Sequence, residues 1–411
     1  MLLATSTLAQ DTTLTMTGSP EWISDAEMTL GAKFTEETGI EIDYQIIPAD
    51  QYYNVLLSRL NVGEGPDIFM GQSGYSDLLS YNVRENAIPL NDQPWVSRLD
   101  PLVAETSSLD GNLYGLTYWD TVGNTWIINY NMAMFAEHGL SVPTTFDEMK
   151  NVCSTLSAAD ITPMFEPFSD GWHHVLMFAE LGPNYAANTT DLVDGLNAND
   201  LTLSGNESMT TTLNQINELY QSGCFGDDAL SDQYSGLTNA FVDGEAGMVY
   251  ANMSFYGSVQ KDYADYDISN IGLFVLPLDD NQTISFNPAG PTKFVYSGSE
   301  NQEAALAYLD FLARPDNVAA FLADPAGKQN LPFTDIDGSN PENVLKFLAA
   351  NPENRGIVLQ TTVNYVNPQW MDIGQDITAM VTGLIDADRV LTNIDNRRSD
   401  IAKAAGDAGW E

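Results

Sequence analysis

The order of elements in the first seventy residues constrains this chain more than any other feature. Leu14–Met16 is a strand-like apolar triplet, followed by the loop Gly18-Ser19-Pro20-Glu21-Trp22. Ser24-Asp25-Ala26-Glu27 reads as a capping box, Ser24 and Glu27 satisfying each other's free amides. The helix it opens carries Met28, Leu30 and Phe34 and stops near Gly39. Ile40–Ile46 alternates with period two, as a half-buried strand does. Asp50 is placed to cap a second helix, with Tyr53, Leu56, Leu57 and Leu60 as its apolar residues and Gly63 at its end. Gly65–Gly71 then reads as a buried strand leading into the tight loop Gly71-Gln72-Ser73-Gly74. Strand, helix, strand, helix, strand in this order implies a parallel, doubly wound sheet. Ligands of such sheets bind outside the carboxyl ends of the strands. That rule puts Glu21, Trp22, Gln72 and Ser73 on the ligand side.

A chain of 411 residues is too long for one core, and two domains of roughly 150–200 residues are expected. No stretch approaches the roughly 18 apolar residues of a membrane span. The 57 acidic and 15 basic residues give a formal net charge of −42, which opposes binding to nucleic acid or anionic lipid. The acids are dispersed and read as a solvating surface. The segment MLLATSTLAQ is too short and lacks the basic start of a signal peptide, and reads either as a cloning remnant or as the tail of a removed export signal. No cysteine precedes Cys153, so a lipid-anchoring cysteine is expected to have been trimmed or mutated. In an exported protein Cys153 and Cys224 are a candidate disulfide, with two separate buried thiols as the alternative.

Residues 111–131 hold two strand-like runs, Leu113–Tyr118 and Thr125–Tyr130, around Trp119-Asp120-Thr121-Val122-Gly123-Asn124. A loop exposing Trp beside Asp and Asn can stack on a ligand's apolar face and hydrogen-bond its rim. A plain hairpin with a core Trp is the alternative. Asn131 opens a helix ending at Gly139, and Thr145-Phe146-Asp147-Glu148 is another capping box. This order resembles the extracellular solute-binding proteins of ABC importers, in particular the oligosaccharide-capturing, maltose-binding-protein-like family. Phe146 stands where that family usually has Trp. "GPDIF" before a small polar loop is similar to the family too, as are "AFVDGEAGM" (240–248) before a strand and an aromatic, and "EAALAYLDFLARPDN" (303–317). Together the likeness spans about 14–330.

The resemblance implies an α/β, two-lobed periplasmic-binding-protein-like fold of type II. Each lobe is a mainly parallel sheet flanked by helices, with a hinge between them. The expected division is 11–119 plus 280–320 for one lobe and 120–279 plus 321–411 for the other. It also implies that Trp119, Asp120 and Asn124 lie at the cleft mouth, that Trp172 stacks on sugar, and that Phe255 or Tyr256 is a second platform. Asn287 and Gly290 are expected from the Gly- and Pro-rich return loop, and Trp370 from a helix start that sometimes lends an aromatic. Asp67 is expected to be structural. Leu181–Gly205, rich in Asn, Asp and Thr, reads as a surface excursion. Adjacent His173 and His174 would point about 100° apart on a helix and cannot easily chelate one ion.

The segments expected at the cleft are 18–23, 71–75, 117–126, 168–174, 252–257 and 285–291, and they hold ten aromatics but no Lys or Arg. An anionic ligand would normally recruit a basic fork or a lysine. A neutral oligosaccharide is therefore the expected ligand, delivered by hinge closure to the membrane permease of an ABC transporter. The protein is expected to be a monomer with no cofactor, no metal and no catalysis, outside the cell or in the periplasm. One alternative keeps the fold and binds a cationic polyamine or a metal. The other is a glycoside hydrolase using two of Glu21, Asp120, Glu166 and Asp170. No G-x-S-x-G elbow, P-loop or H-E-x-x-H is present.

Overall fold

The computed structural model describes residues 12–20, 22–120, 124–324, 327–351 and 355–410. Their strands include β1 (Thr13–Gly18), β2 (Glu41–Ile46), β3 (Ile68–Gln72), β4 (Gly115–Thr117), β5 (Trp126–Asn131), β6 (Thr162–Phe165), β7 (Ala246–Asn252), β8 (Ile271–Phe274) and β9 (Pro291–Val295). The chain forms two compact units. One contains the described residues up to Asp120 together with Pro288–Ser339, and the other contains Asn124–Asn287 and Asn340–Trp410. Residues 321–339, expected in the second lobe, stay with the first unit. Leu331 and Phe333 pack in its core, and Arg98 Nε lies 2.7 Å from the Asp335 carboxylate. The return also falls later than expected, at 287/288, because 284–286 pairs with 355–357 in the second unit.

The first unit's sheet runs β2-β1-β3-β9-β4. β1, β2, β3 and β4 point one way and β9 runs against both of its neighbours. Helix Asp25–Thr38 starts on Ser24, whose side chain accepts from Glu27 N, and ends on Gly39 at φ 78°, a left-handed conformation glycine adopts without penalty. Only half of the expected capping box exists. The Glu27 carboxylate turns inward to Lys293 on β9, 3.1 Å away and equally buried. Tyr308 Oη donates to Glu27 at 3.4 Å, and Lys293 Nζ lies 5.3 Å from the Tyr118 ring centre. Burial pushes the Glu27 carboxyl up, and Lys293 pulls it back. The next helix starts at Ala49 with Pro48 before it, so Asp50 is not its cap. Asp67 accepts from Thr15 N, Thr15 Oγ1, Ser299 Oγ and Asn301 Nδ2. Burial raises its carboxyl, but these bonds outweigh burial and hold it below the usual range. It ties β1 to β3, away from the carboxyl ends of the strands.

The second unit's sheet runs β8-β5-β7-β6, with β5 antiparallel to the other three. Thr145 caps helix Phe146–Ser157. Cys153 on that helix is bonded to Cys224, which follows helix Glu207–Gln221. Closing a loop across 71 positions stabilises by about 4 kcal/mol in the chain-entropy account. The stretch 181–205 is not a surface excursion. It contains helices Gly182–Asn188 and Leu192–Asn197, and Tyr185, Leu192, Leu196 and Leu203 are buried. Its apolar positions recur at helical spacing but are diluted by Asn, Asp and Thr.

Removing one partner of a buried ion pair leaves the other charge uncompensated. Lys293→Met should therefore cost about 3–5 kcal/mol in urea unfolding, and adding Glu27→Gln should recover part of it. A loss under about 1 kcal/mol would show that the pair does not hold β9. The 57 acids repel one another, and salt shortens the Debye length from about 30 Å at 0.01 M to about 3 Å at 1 M. The melting temperature should rise over that range of NaCl, and a flat profile would contradict the surface reading.

Candidate functional site

In each unit the polar and aromatic side chains of interest gather where parallel strands end. In the first unit, β3 ends at Gln72 and β4 at Thr117, and β9 begins beside both at Pro291 and Thr292. Ser73 clamps this edge, because Ser73 N donates to Gly290 O and Gly290 N donates to Ser73 Oγ, each at 3.1 Å. A Cβ on Gly290 would come within 2.9 Å of Trp119 Cδ1, so a side chain there would push the indole away. Trp119 is half-buried, and Lys328 Nζ lies 3.8 Å from its ring centre, well inside cation–π range. The Asp120 carboxylate is buried and accepts from Asn330 N at 3.2 Å and Asn330 Nδ2 at 3.3 Å. It thereby fixes the segment that carries Lys328. Half-buried Trp22 packs edge-on against Tyr52 at 5.1 Å, and Gln72 is half-buried at the end of β3. Tyr118 does not face outward; it is buried against Phe321 and Phe333. Glu21 lies outside the described residues.

In the second unit, β6 ends at Phe165 and β7 at Asn252, and β5 starts opposite Asn252 with Trp126. Trp126, Trp172 and Tyr234 form one aromatic group. Trp126 meets Trp172 edge-on at 6.0 Å, Trp172 and Tyr234 are 5.1 Å apart, and Trp126 and Tyr234 6.4 Å. All three are half-buried. Trp126 Nε1 donates to Asn124 Oδ1, and Trp370 Nε1 donates to Trp172 O at 3.0 Å. Trp370 thus braces Trp172. Beneath them His173 Nδ1 lies 2.6 Å from Glu166 Oε1, both fully buried. Burial pushes the Glu166 carboxyl up, and His173 pulls it back. His174 turns elsewhere, donating Nε2–H to Gly374 O at 2.8 Å and stacking on Phe168. Burial depresses its imidazole to about 4, so it is neutral near pH 7.

Phe255 and Tyr256, expected as a ligand platform, are core residues. They open helix Phe255–Asp262 and are buried with Ile127, Phe241 and Val249, and Tyr256 Oη donates to Ile271 O. Starting the helix at Phe255 rotates both inward, and Asn252 ends the strand in their stead. Asn287 falls in the second unit, where it accepts from Thr361 Oγ1 at 2.7 Å, while Gly290 falls in the first. Trp126 stood among the cleft aromatics in sequence but not among the chosen contacts. Tyr234 was missed because it sits in a short turn, Tyr234–Gly236, with no strand or helix pattern to place it.

A cavity with room for about one water lies behind Trp126, lined also by Tyr250, Asn281, Ser285 and Glu180. Glu180 Oε1 accepts from Gln360 Nε2 at 2.8 Å, and Oε2 has no partner among the described residues. Burial pushes this carboxyl up to about 8.

A family model for bacterial extracellular solute-binding proteins matches residues 20–319, and the chain belongs to that family. A comparison with curated protein sequences returns no match. Among solved structures the chain is similar to a chitin oligosaccharide binding protein, with 16% identity, TM-score 0.77 and coverage of 95% of this chain and 99% of that one. It is similar to a sugar transporter from Bacillus licheniformis in complex with stachyose, at 19% identity, TM-score 0.76 and coverage of 95% and 100%. It is also similar to the GacH receptor of Streptomyces glaucescens, whose structures include a complex with acarbose, at 18% identity, TM-score 0.74 and coverage of 96% and 99%. At these identities the likeness establishes the fold.

Glu180 carries a pH test. Its carboxyl ionises near 4.5 when unfolded and near 8 when folded, so the native state binds the extra proton between those values. The proton's stabilising effect is complete below 4.5 and is lost as pH rises through 8. Glu180→Gln removes that dependence while keeping the acceptor for Gln360. The variant should match the wild type near pH 4.5 and exceed it by roughly 3–5 kcal/mol near pH 8 in chemical unfolding. Parallel stability profiles would refute the assignment.

Proposed function

We propose that this protein captures an oligosaccharide outside the cell and passes it, chemically unchanged, to the membrane subunits of an ABC importer, acting as a monomer. The observation that carries the reading is the Trp126–Trp172–Tyr234 group at the carboxyl edge of the second unit's sheet. Sugar rings present CH-rich faces that suit aromatic surfaces, and hydroxyls around the rim suit fixed acceptors and amides. Within the first unit, Trp22, Gln72 and Trp119 lie near the carboxyl ends of its own strands. The solved relatives named with stachyose, acarbose and chitin oligosaccharides support the same ligand class.

The arrangement of carboxylates favours binding over hydrolysis. A glycosidase needs two carboxyl groups free to flank the scissile bond. Asp120 holds Asn330, Glu166 holds His173, and Asp170 accepts from Tyr234 N. These acids brace the scaffold around the aromatics.

Trp172→Ala and Trp126→Ala should each weaken binding about ten- to a hundredfold for the oligosaccharide that most raises the melting temperature, while the protein stays folded. Phe255→Ala should instead destabilise by about 3–5 kcal/mol. Unchanged calorimetric affinity in both Trp variants would remove the assigned site.

A further inference from the structure

Glu180 is buried at the end of the short helix Leu176–Ala179, and the scaffold treats its two oxygens differently. Oε1 accepts from Gln360 Nε2 at 2.8 Å, while Oε2 has no partner among the described residues. Burial and the Gln360 hydrogen bond are the influences on its carboxyl, and no cation stands among them. A buried carboxylate without a counter-charge loses its hydration and gains little in return. The carboxyl lies close enough to Tyr250 to help raise that hydroxyl well above its usual range.

Tyr250 and Glu180 both line the cavity behind Trp126, which has room for about one water. Two of its polar walls are already committed. Ser285 Oγ donates to Glu180 O, and Asn281 Nδ2 donates to Thr283 O. An ionised carboxylate offers about four lone-pair sites, so one amide and one water leave it short of donors. More water enters only if a wall gives. Trp126, Val275 and Thr283 are the half-buried walls, and Trp126 is the one that belongs to the aromatic group with Trp172 and Tyr234. The remaining titratable and charged groups around Glu180 are engaged elsewhere. Tyr185 Oη donates to Phe178 O, Asp279 accepts from Asn184, Asp280 accepts from Phe146 N, Arg355 donates to Leu348 O, and Glu166 pairs with His173.

We propose that Glu180 is the positioning residue for Trp126: its protonated form keeps the cavity closed and the indole seated in the aromatic group, and loss of the proton loosens Trp126 and weakens ligand binding. This rests on the oligosaccharide reading and adds a control by pH to the same site. The carboxyl is pushed up to about 8 by burial, so affinity is full well below that pH and falls as pH rises through it. Coupling of this kind is reciprocal. A ligand that needs the seated indole tightens the hold of Glu180 on its proton, and binding near pH 8 takes a proton up.

The test is calorimetric titration at pH 6.5, 8 and 9 with the neutral oligosaccharide that most raises the melting temperature, in buffers of different ionisation enthalpy. Wild-type affinity should be about five- to tenfold weaker at pH 9 than at pH 6.5, and the heat at pH 8 should vary with the buffer as a proton is taken up. Glu180→Gln, the neutral isostere, should hold at pH 9 the affinity that it shows at pH 6.5, to within about twofold, and take up no proton. A second arm needs no sugar: the part of the tryptophan emission that Trp126→Phe removes should change between pH 6.5 and 9 in the wild type and stay constant in Glu180→Gln. Melting curves check that the variants are folded. Wild-type affinity that is level across this range, or a fall that persists in Glu180→Gln, would overturn this inference and leave the oligosaccharide reading intact. If no oligosaccharide binds at any pH, that reading falls, and the emission decides the positioning of Trp126: a change abolished by Glu180→Gln upholds it, and a flat profile overturns it.

Discussion

β9 is the strand on which the first unit depends. It lies between β3 and β4 and runs against both, yet it arrives only after the chain has passed through the second unit. Without Pro291–Val295, β4 has no neighbour and β3 has one exposed edge. The strand is secured by apolar packing and by one buried polar contact, Lys293 with Glu27. Such pairs are costly to desolvate and are weak evidence for net stability. This one selects a register: a slip of one residue would carry Lys293 to the opposite face of the sheet, where Glu27 cannot reach it. Because β9 starts beside Ser73 and Gly290, the same register sets the carboxyl-end edge of the sheet.

Much of this was legible in the sequence because the patterns were long or repeated. The βαβαβ opening has helical and alternating periods that need no tertiary context, and Gly39 marks a helix end with the conformation glycine permits. The return of the chain to the first unit after a Gly- and Pro-rich loop was implied by the family resemblance, which assigned 280–320 to that lobe. What failed was local orientation. Phe255 and Tyr256 follow a strand, and which way they point depends on where the next helix begins. Burial of Leu192 and Leu196 was masked by polar neighbours. Tyr234 and Lys328 lie in segments without period, so no sequence signal could bring them to their partners.

Acidic side chains near the carboxyl ends of the strands act mainly as fixtures. Asp120, Asp170 and Glu166 each accept from named backbone or side-chain groups. Buried or half-buried carboxylates satisfied in this way rigidify loops that would otherwise be free to move. The aromatic groups they support can then meet a ligand without first being ordered, which lowers the entropic cost of binding. A scaffold of this kind suits recognition of a shaped, hydroxyl-rich molecule.

Native mass spectrometry of the purified protein with a mixed panel of neutral and anionic oligosaccharides tests the central claim most directly. The account predicts a one-to-one complex with a saccharide of intact mass, recovered uncleaved after prolonged incubation. No saccharide complex, or a bound sugar that returns as shorter fragments, would contradict it.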